Sequence, residues 1–127
     1  MPARAAAPGR TSTNDLTAWD RFLKGLSHYY RQTKTDFEAS ISLFREAVAL
    51  DPALSIARAY LATTMVQGIQ FGWIQSTREL RTTAMNLAES SVRLDPRSSF
   101  AFSILSYLQA IDGHYEAAMA ASQRAVE

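Results

Sequence analysis

The side chains of this chain that could do covalent or metal chemistry are few, and their spacing does not suit it. His28 and His114 are the only histidines, and there is no cysteine. Neither histidine has a second histidine or a carboxylate beside it at metal-ligand spacing, so both read as surface or turn residues. Ser90-Ser91 and Ser98-Ser99 lack the Gly-x-Ser-x-Gly elbow that exposes a nucleophilic hydroxyl. No glycine-rich phosphate loop follows a strand pattern. Arg78, Arg81, Arg93 and Arg97 form a modest basic run, but Glu79, Glu89 and Asp95 interleave with it, as on a solvated helix face. These observations predict a protein that is not an enzyme, with no catalytic residues, cofactor or metal.

Charge and hydropathy narrow the partners. Arg4 and Arg10 fall in residues 1–12, which hold no acid; the rest of the chain has 11 basic and 12 acidic residues. That balance lacks the footprint of a nucleic-acid binder. No apolar run approaches the roughly 20 residues of a membrane span. Met1–Ser12 holds Pro2, Pro8 and Gly9 and no apolar h-region, so it reads as a disordered tail and not as a secretory signal. The expectation is a cytoplasmic protein with no nucleic-acid or membrane partner.

The elements that must position any binding residues are helices. Apolar residues recur at helical spacing from Leu16 through Trp19, Phe22, Leu23, Leu26 and Tyr29. Thr35-Asp36-Phe37-Glu38 has the form of a capping box opening a second helix, and Ser76-Thr77-Arg78-Glu79 that of another opening a fourth. Asp51-Pro52 and Asp95-Pro96 are read as the starts of the third and fifth helices, with proline in the first turn. Gly68, Phe71, Gly72 and Trp73 mark a break, Asp112-Gly113 a tight turn, and a sixth helix is predicted from near Tyr115.

Leu50-Asp51-Pro52 and Leu94-Asp95-Pro96 each close an Ala-bearing helical segment, which signals an internal repeat. Pro52 to Pro96 is a separation of 44 and Ala84 to Ala118 one of 34, giving a 34-residue unit with a 10-residue insertion about residues 66–76. A helix-turn-helix period of that length resembles the tetratricopeptide repeat, or TPR. In the third hairpin Phe102, Leu105, Ser106, Gly113, Ala118 and Ala125 occupy family positions; in the second Leu61, Ala62, Ala84 and Ser91; in the first Gly25, Ser40, Phe44 and Ala47. Arg58, Ala88 and Ser122 depart from the pattern. The resemblance implies an all-α fold of three stacked antiparallel hairpins (about 13–50, 51–94 and 95–127) in a right-handed superhelix. The stretch Lys24-Gly25-Leu26-Ser27-His28-Tyr29, with Phe71-Gly72-Trp73, is also similar to repeat regions of bacterial adenylate/guanylate cyclase-like or winged-helix regulator proteins. That implies an alternative role in signalling, as the regulatory or oligomerisation segment of a larger protein.

In such repeats the first helix of each hairpin lines a concave groove. The groove residues are then Trp19, Phe22, Leu26 and Tyr29, followed by Ile56, Ala59 and Thr63, then Phe100, Ser103, Tyr107 and Ile111. An apolar groove with hydroxyl tips suits an amphipathic or extended peptide; packing on a neighbouring helix or on a flanking domain is the other reading. Some family members grip a C-terminal carboxylate with basic residues here, but this chain has Phe22, Leu26, Tyr60, Phe100 and Ile104 at those positions. Trp73 reads either as an exposed anchor for a partner or as a plug folded back by Gly68 and Gly72. The repeat pattern calls for another Leu-Asp-Pro just past Glu127. A homo-oligomer or further sequence is therefore expected to cover Met119, Gln123 and Val126.

Overall fold

The structure, a computed structural model, describes residues 13–111 and 121–125. It contains helices α1 (Thr13–Tyr29), α2 (Lys34–Leu50), α3 (Ser55–Gln70), α4 (Arg78–Leu94) and α5 (Ser99–Ile111), and residues 121–125 are helical. No strand occurs among the described residues. Consecutive helices pack as antiparallel hairpins: Arg21 meets Glu46, Phe22 meets Phe44, His28 meets Asp36 and Tyr29 meets Phe37, so the partners run in opposite directions. α3 pairs with α4 in the same way of succession, while α2 packs on α3 and α5 packs on both α4 and α3. The result is an all-α helical repeat.

Small residues let the helices approach. Ala47, Ala57, Ala62, Ala84 and Ala88 are fully buried among Phe22, Phe44, Leu61, Met65, Leu87 and Leu108. A Cβ on Gly25 would stand 2.5 Å from the Phe44 ring, so α1 and α2 close only because that residue has none. Buried hydroxyls are satisfied locally: Thr63 and Thr64 donate to the carbonyls of Ala59 and Tyr60, and Ser40 to that of Phe37. Ser55 Oγ donates to the Ser91 carbonyl at 2.9 Å while Ser91 Oγ donates to the Ser55 carbonyl at 3.0 Å, tying the start of α3 to the end of α4.

The helix starts differ from the sequence reading. α2 begins two residues earlier, capped by Thr33: its hydroxyl oxygen accepts from the Asp36 N–H at 3.0 Å, and its hydroxyl donates to Asp36 Oδ2 at 2.7 Å. α4 is capped by Thr77 and not Ser76, through the Leu80 N–H at 3.0 Å. Asp51 and Asp95 do not cap the helices that follow; they end α2 and α4, and each turns a carboxylate oxygen to the backbone N–H two residues on, at Ala53 and Arg97. Pro52 and Pro96 therefore sit in turns, and α3 and α5 start at Ser55 and Ser99.

Gly68 is no break. α3 continues through it to Gln70, and the inserted turn folds back so that the N–H groups of Trp73 and Ile74 both donate to the Gly68 carbonyl. The Ile74 side chain lies where a Gly68 Cβ would be, and Gly72, at φ +77, supplies the left-handed step. The Asp112-Gly113 turn, His114, and the predicted start of the sixth helix lie outside the described residues.

Candidate functional site

α1 shows how the chain divides buried from exposed apolar residues. At about 100° per residue, Ala18, Phe22, Gly25 and Tyr29 form one stripe, turned to α2 and α3. Leu16, Trp19 and Leu23 form the adjacent stripe and are exposed. Nine large apolar side chains are exposed among the described residues; Leu16, Trp19, Leu23, Ile56, Phe100 and Tyr107 stand on α1, α3 and α5, and Tyr30 follows α1 directly. α2 has none, and α4 has only Leu94, its last residue. Exposed apolar surface is thus concentrated on one set of helices.

Phe22 is not part of that surface. It is 1% exposed and packs its ring on Trp19, Phe44 and Tyr60, because its position falls on the buried stripe of α1. Leu26 and Tyr29 are half-buried against the core. Trp19, 44% exposed, and Tyr107, 42% exposed, are open, as are Ile56, Phe100 and Ser103; Thr63 is nearly buried. Ala59 is buried, and the residue beside it, Tyr60, takes the place on the face. The side chain of Ile111 and all of Met119 and Val126 lie outside the described residues; Gln123 is exposed. Trp73 is half-buried, its ring 5.0 Å from those of Phe37 and Phe71, which places the inserted turn on the end of the first hairpin.

Tyr60, which the sequence places only among the positions of a carboxylate grip and not among the groove residues, is central in the structure. Its ring touches those of Phe22, Tyr29, Phe44 and Phe100, joining α1, α2, α3 and α5, and its hydroxyl lies 3.4 Å from that of Tyr30. Burial, then the Tyr30 hydroxyl, pushes the Tyr60 phenol up to about 12. Burial also raises the Tyr29 phenol, partly opposed by its 2.9 Å hydrogen bond to Gln67 Oε1. The signal that could have found Tyr60 is the stripe Ile56, Tyr60, Thr63, Gln67 and Gln70, which keeps helical spacing.

Between α3 and α5 lies an open cavity of about 240 Å³, lined by Thr63, Val66, Gln67, Gln70, Ile104, Tyr107 and Leu108. A second, of about 190 Å³, shares Val66, Gln70 and Leu108 and reaches Met85 and Arg81. Arg81 is occupied there, donating to Ser76 Oγ at 2.6 Å. Several charged groups of the helices bearing the apolar face are paired. Arg21 pairs with Glu46 and Asp20, Lys24 with Asp20, and Arg58 donates to the Pro52 carbonyl and Ser90 Oγ. His28 Nδ1 lies 2.8 Å from Asp36 Oδ1; that contact, then the Thr33 hydroxyl, holds the Asp36 carboxyl below its usual value. No group of three or more His, Asp or Glu residues that could hold a metal occurs among the described residues. No described helix is long and apolar enough to cross a membrane.

Solved structures share this arrangement, three of them as follows. The second TPR of Spaghetti (RPAP3), bound to the HSP90 peptide SRMEEVD, matches with a TM-score of 0.73 at 18% identity, over 89% of this chain and 93% of that one. The chain has the TPR fold. The TPR2B domain of yeast Sti1, in complex with pHsp70, gives a TM-score of 0.70 at 14% identity, over 87% of this chain and 78% of that one. MamA gives 0.67 at 15% identity, over 88% of this chain and 58% of that one. Neither a family model nor a curated protein sequence matches the chain.

Proposed function

We propose that the chain is a non-catalytic protein–protein interaction scaffold that takes a peptide or helix on its concave face. The observation carrying this is the gathering of exposed Leu16, Trp19, Leu23, Ile56, Phe100 and Tyr107 on α1, α3 and α5, the first helices of their hairpins, which line the inner side in the TPR fold. Two neighbours in fold are complexes, one with an HSP90 peptide and one with pHsp70, which supports the same use of the fold here. Rigid aromatic rings are efficient anchors because they contribute large apolar contact for little lost conformational freedom.

The test is peptide binding to the intact chain, read by fluorescence anisotropy, with Trp19→Ala and Tyr107→Ala introduced separately. Both positions are exposed, so the fold survives. Each change is expected to weaken binding about tenfold or more, the loss of one anchor. Binding that ignores both changes but fails with Leu94→Ala, on α4, would overturn the concave-face reading.

A further inference from the structure

We infer that the cavity between α3 and α5 is an anchor subsite for one large apolar side chain of an uncharged amphipathic partner segment, and not a site for acidic peptides. This rests on the concave-face reading and specifies what that face selects. The cavity holds about 240 Å³, and about 150 Å³ of apolar space suffices for a benzene ring. A Leu, Met or Phe side chain therefore fits with room for its backbone at the mouth. Val66, Ile104 and Leu108 supply apolar walls.

The polar atoms at the rim suit a peptide backbone. Thr63 Oγ1 is committed to the Ala59 carbonyl and Gln67 Oε1 to the Tyr29 hydroxyl. Among the described residues neither Gln67 Nε2 nor the Gln70 carboxamide has a hydrogen-bond partner, so amide donors stand beside the opening. Such groups orient a chain without selecting charge.

Charge settles the partner's class. α5 carries no Lys, Arg, Asp or Glu, and α3 carries only Arg58. Arg58 is held by the Pro52 carbonyl at 2.6 Å and Ser90 Oγ at 3.2 Å, toward α4. A carboxylate brought to this cavity would lose its hydration and gain no cation from α3 or α5, which disfavours it. An apolar side chain gains from the same burial.

The experiment pans a random peptide library on the full chain and measures the affinities of the selected peptides for two variants. Gln70→Trp puts a ring over the cavity from an exposed position; Thr63→Leu fills it from within. Circular dichroism checks that each variant keeps its helicity, and Gln70→Trp stands alone if Thr63→Leu does not fold. The expected result is peptides rich in Leu, Met or Phe and poor in Asp and Glu, with affinities reduced about tenfold by Gln70→Trp. Selection of acidic peptides, or of peptides needing a free C-terminal carboxylate, would overturn the inference. Peptides that lose binding with Trp19→Ala but not with Gln70→Trp would overturn the subsite and leave the concave face standing. Peptides indifferent to all of these changes would overturn both.

Discussion

In the first hairpin α1 sets Gly25 against the Phe44 ring; in the second, the matching positions hold Ala62 and Ala88, both fully buried. The joints around these pairs are built alike. Thr33 and Thr77 cap α2 and α4 from nearly the same backbone conformation, φ −118 and ψ 159 against φ −118 and ψ 157. Asp51 and Asp95 end those helices at φ −139 and φ −140 and turn their carboxylates to the second N–H onward. The interiors are filled differently. The first hairpin has glycine facing a phenyl ring and feeds a run of touching rings, from Trp19 through Phe22 and Tyr60 to Phe100. The second uses alanines. The comparison teaches that the joints carry the repeat, while volume and aromatic surface are free to vary between hairpins.

The largest expected effect comes from removing the feature unique to the first hairpin. Phe44→Ala should cost about 3–5 kcal/mol in urea denaturation, since the ring is fully buried and its neighbours are aromatic. Gly25→Ala adds a Cβ against that ring and should cost about 1–3 kcal/mol by overpacking, reduced by up to about 1 kcal/mol of helix propensity. Combining Gly25→Ala with Phe44→Leu should cost less than the sum of the two, because the smaller side chain makes the room the methyl needs. Strict additivity would mean that α1 and α2 do not trade volume across this contact.

A smaller effect tests the likeness of the joints. Asp51→Ala and Asp95→Ala each remove a side-chain to backbone hydrogen bond, worth about 0.5–1.5 kcal/mol. The two should differ in one direction. α5 keeps a second support, the Ser98 hydroxyl accepting from the Ala101 N–H at 3.1 Å, whereas Leu54 gives α3 no side-chain cap. Asp51→Ala is therefore expected to be the costlier change in thermal and urea unfolding. A larger loss from Asp95→Ala would show that the joints differ in more than the cap.

The same contrast explains what could be read from the sequence. The repeat was legible because its joints are made of residues with fixed chemistry, Leu-Asp-Pro above all, and these recur at one spacing. The helix starts were misplaced there because Asp-Pro offers two outcomes, a cap for the next helix or an Asx-type turn, and only the path of the chain decides. Thr33 and Thr35 pose a similar choice: each has an acid three residues on, and Thr33 prevails with Asp36 held on its other side by His28. On the face itself, a shift of one residue moves a side chain by about 100° around a helix. That turned Phe22 and Ala59 inward and brought Tyr60 to the centre. The cavity between α3 and α5 was not legible, since it depends on the distance between two helices that no local pattern encodes.

The smallest effect concerns Tyr60, whose counterpart at the 44-residue spacing is Ile104, a residue with no proton to lose. The Tyr60 phenol is pushed up to about 12 from its ordinary 10.0, chiefly by burial, so the folded chain holds this proton more tightly than the unfolded one. Its contribution to stability is complete below the unfolded value and is lost as pH rises toward the folded one. The chain should therefore weaken with alkali between those two values, and Tyr29, also raised, adds in the same direction. Tyr60→Phe keeps the ring contacts and gives up only a 3.4 Å hydroxyl contact, long for a bond between hydroxyls. It should change stability near neutrality little and make the alkaline limb shallower, as read from urea midpoints across the alkaline range. Ultraviolet titration of the phenols should lose its latest-ionising step in the variant. An alkaline limb as steep as that of the parent chain would place the buried proton on Tyr29 and remove Tyr60 from the centre of the network.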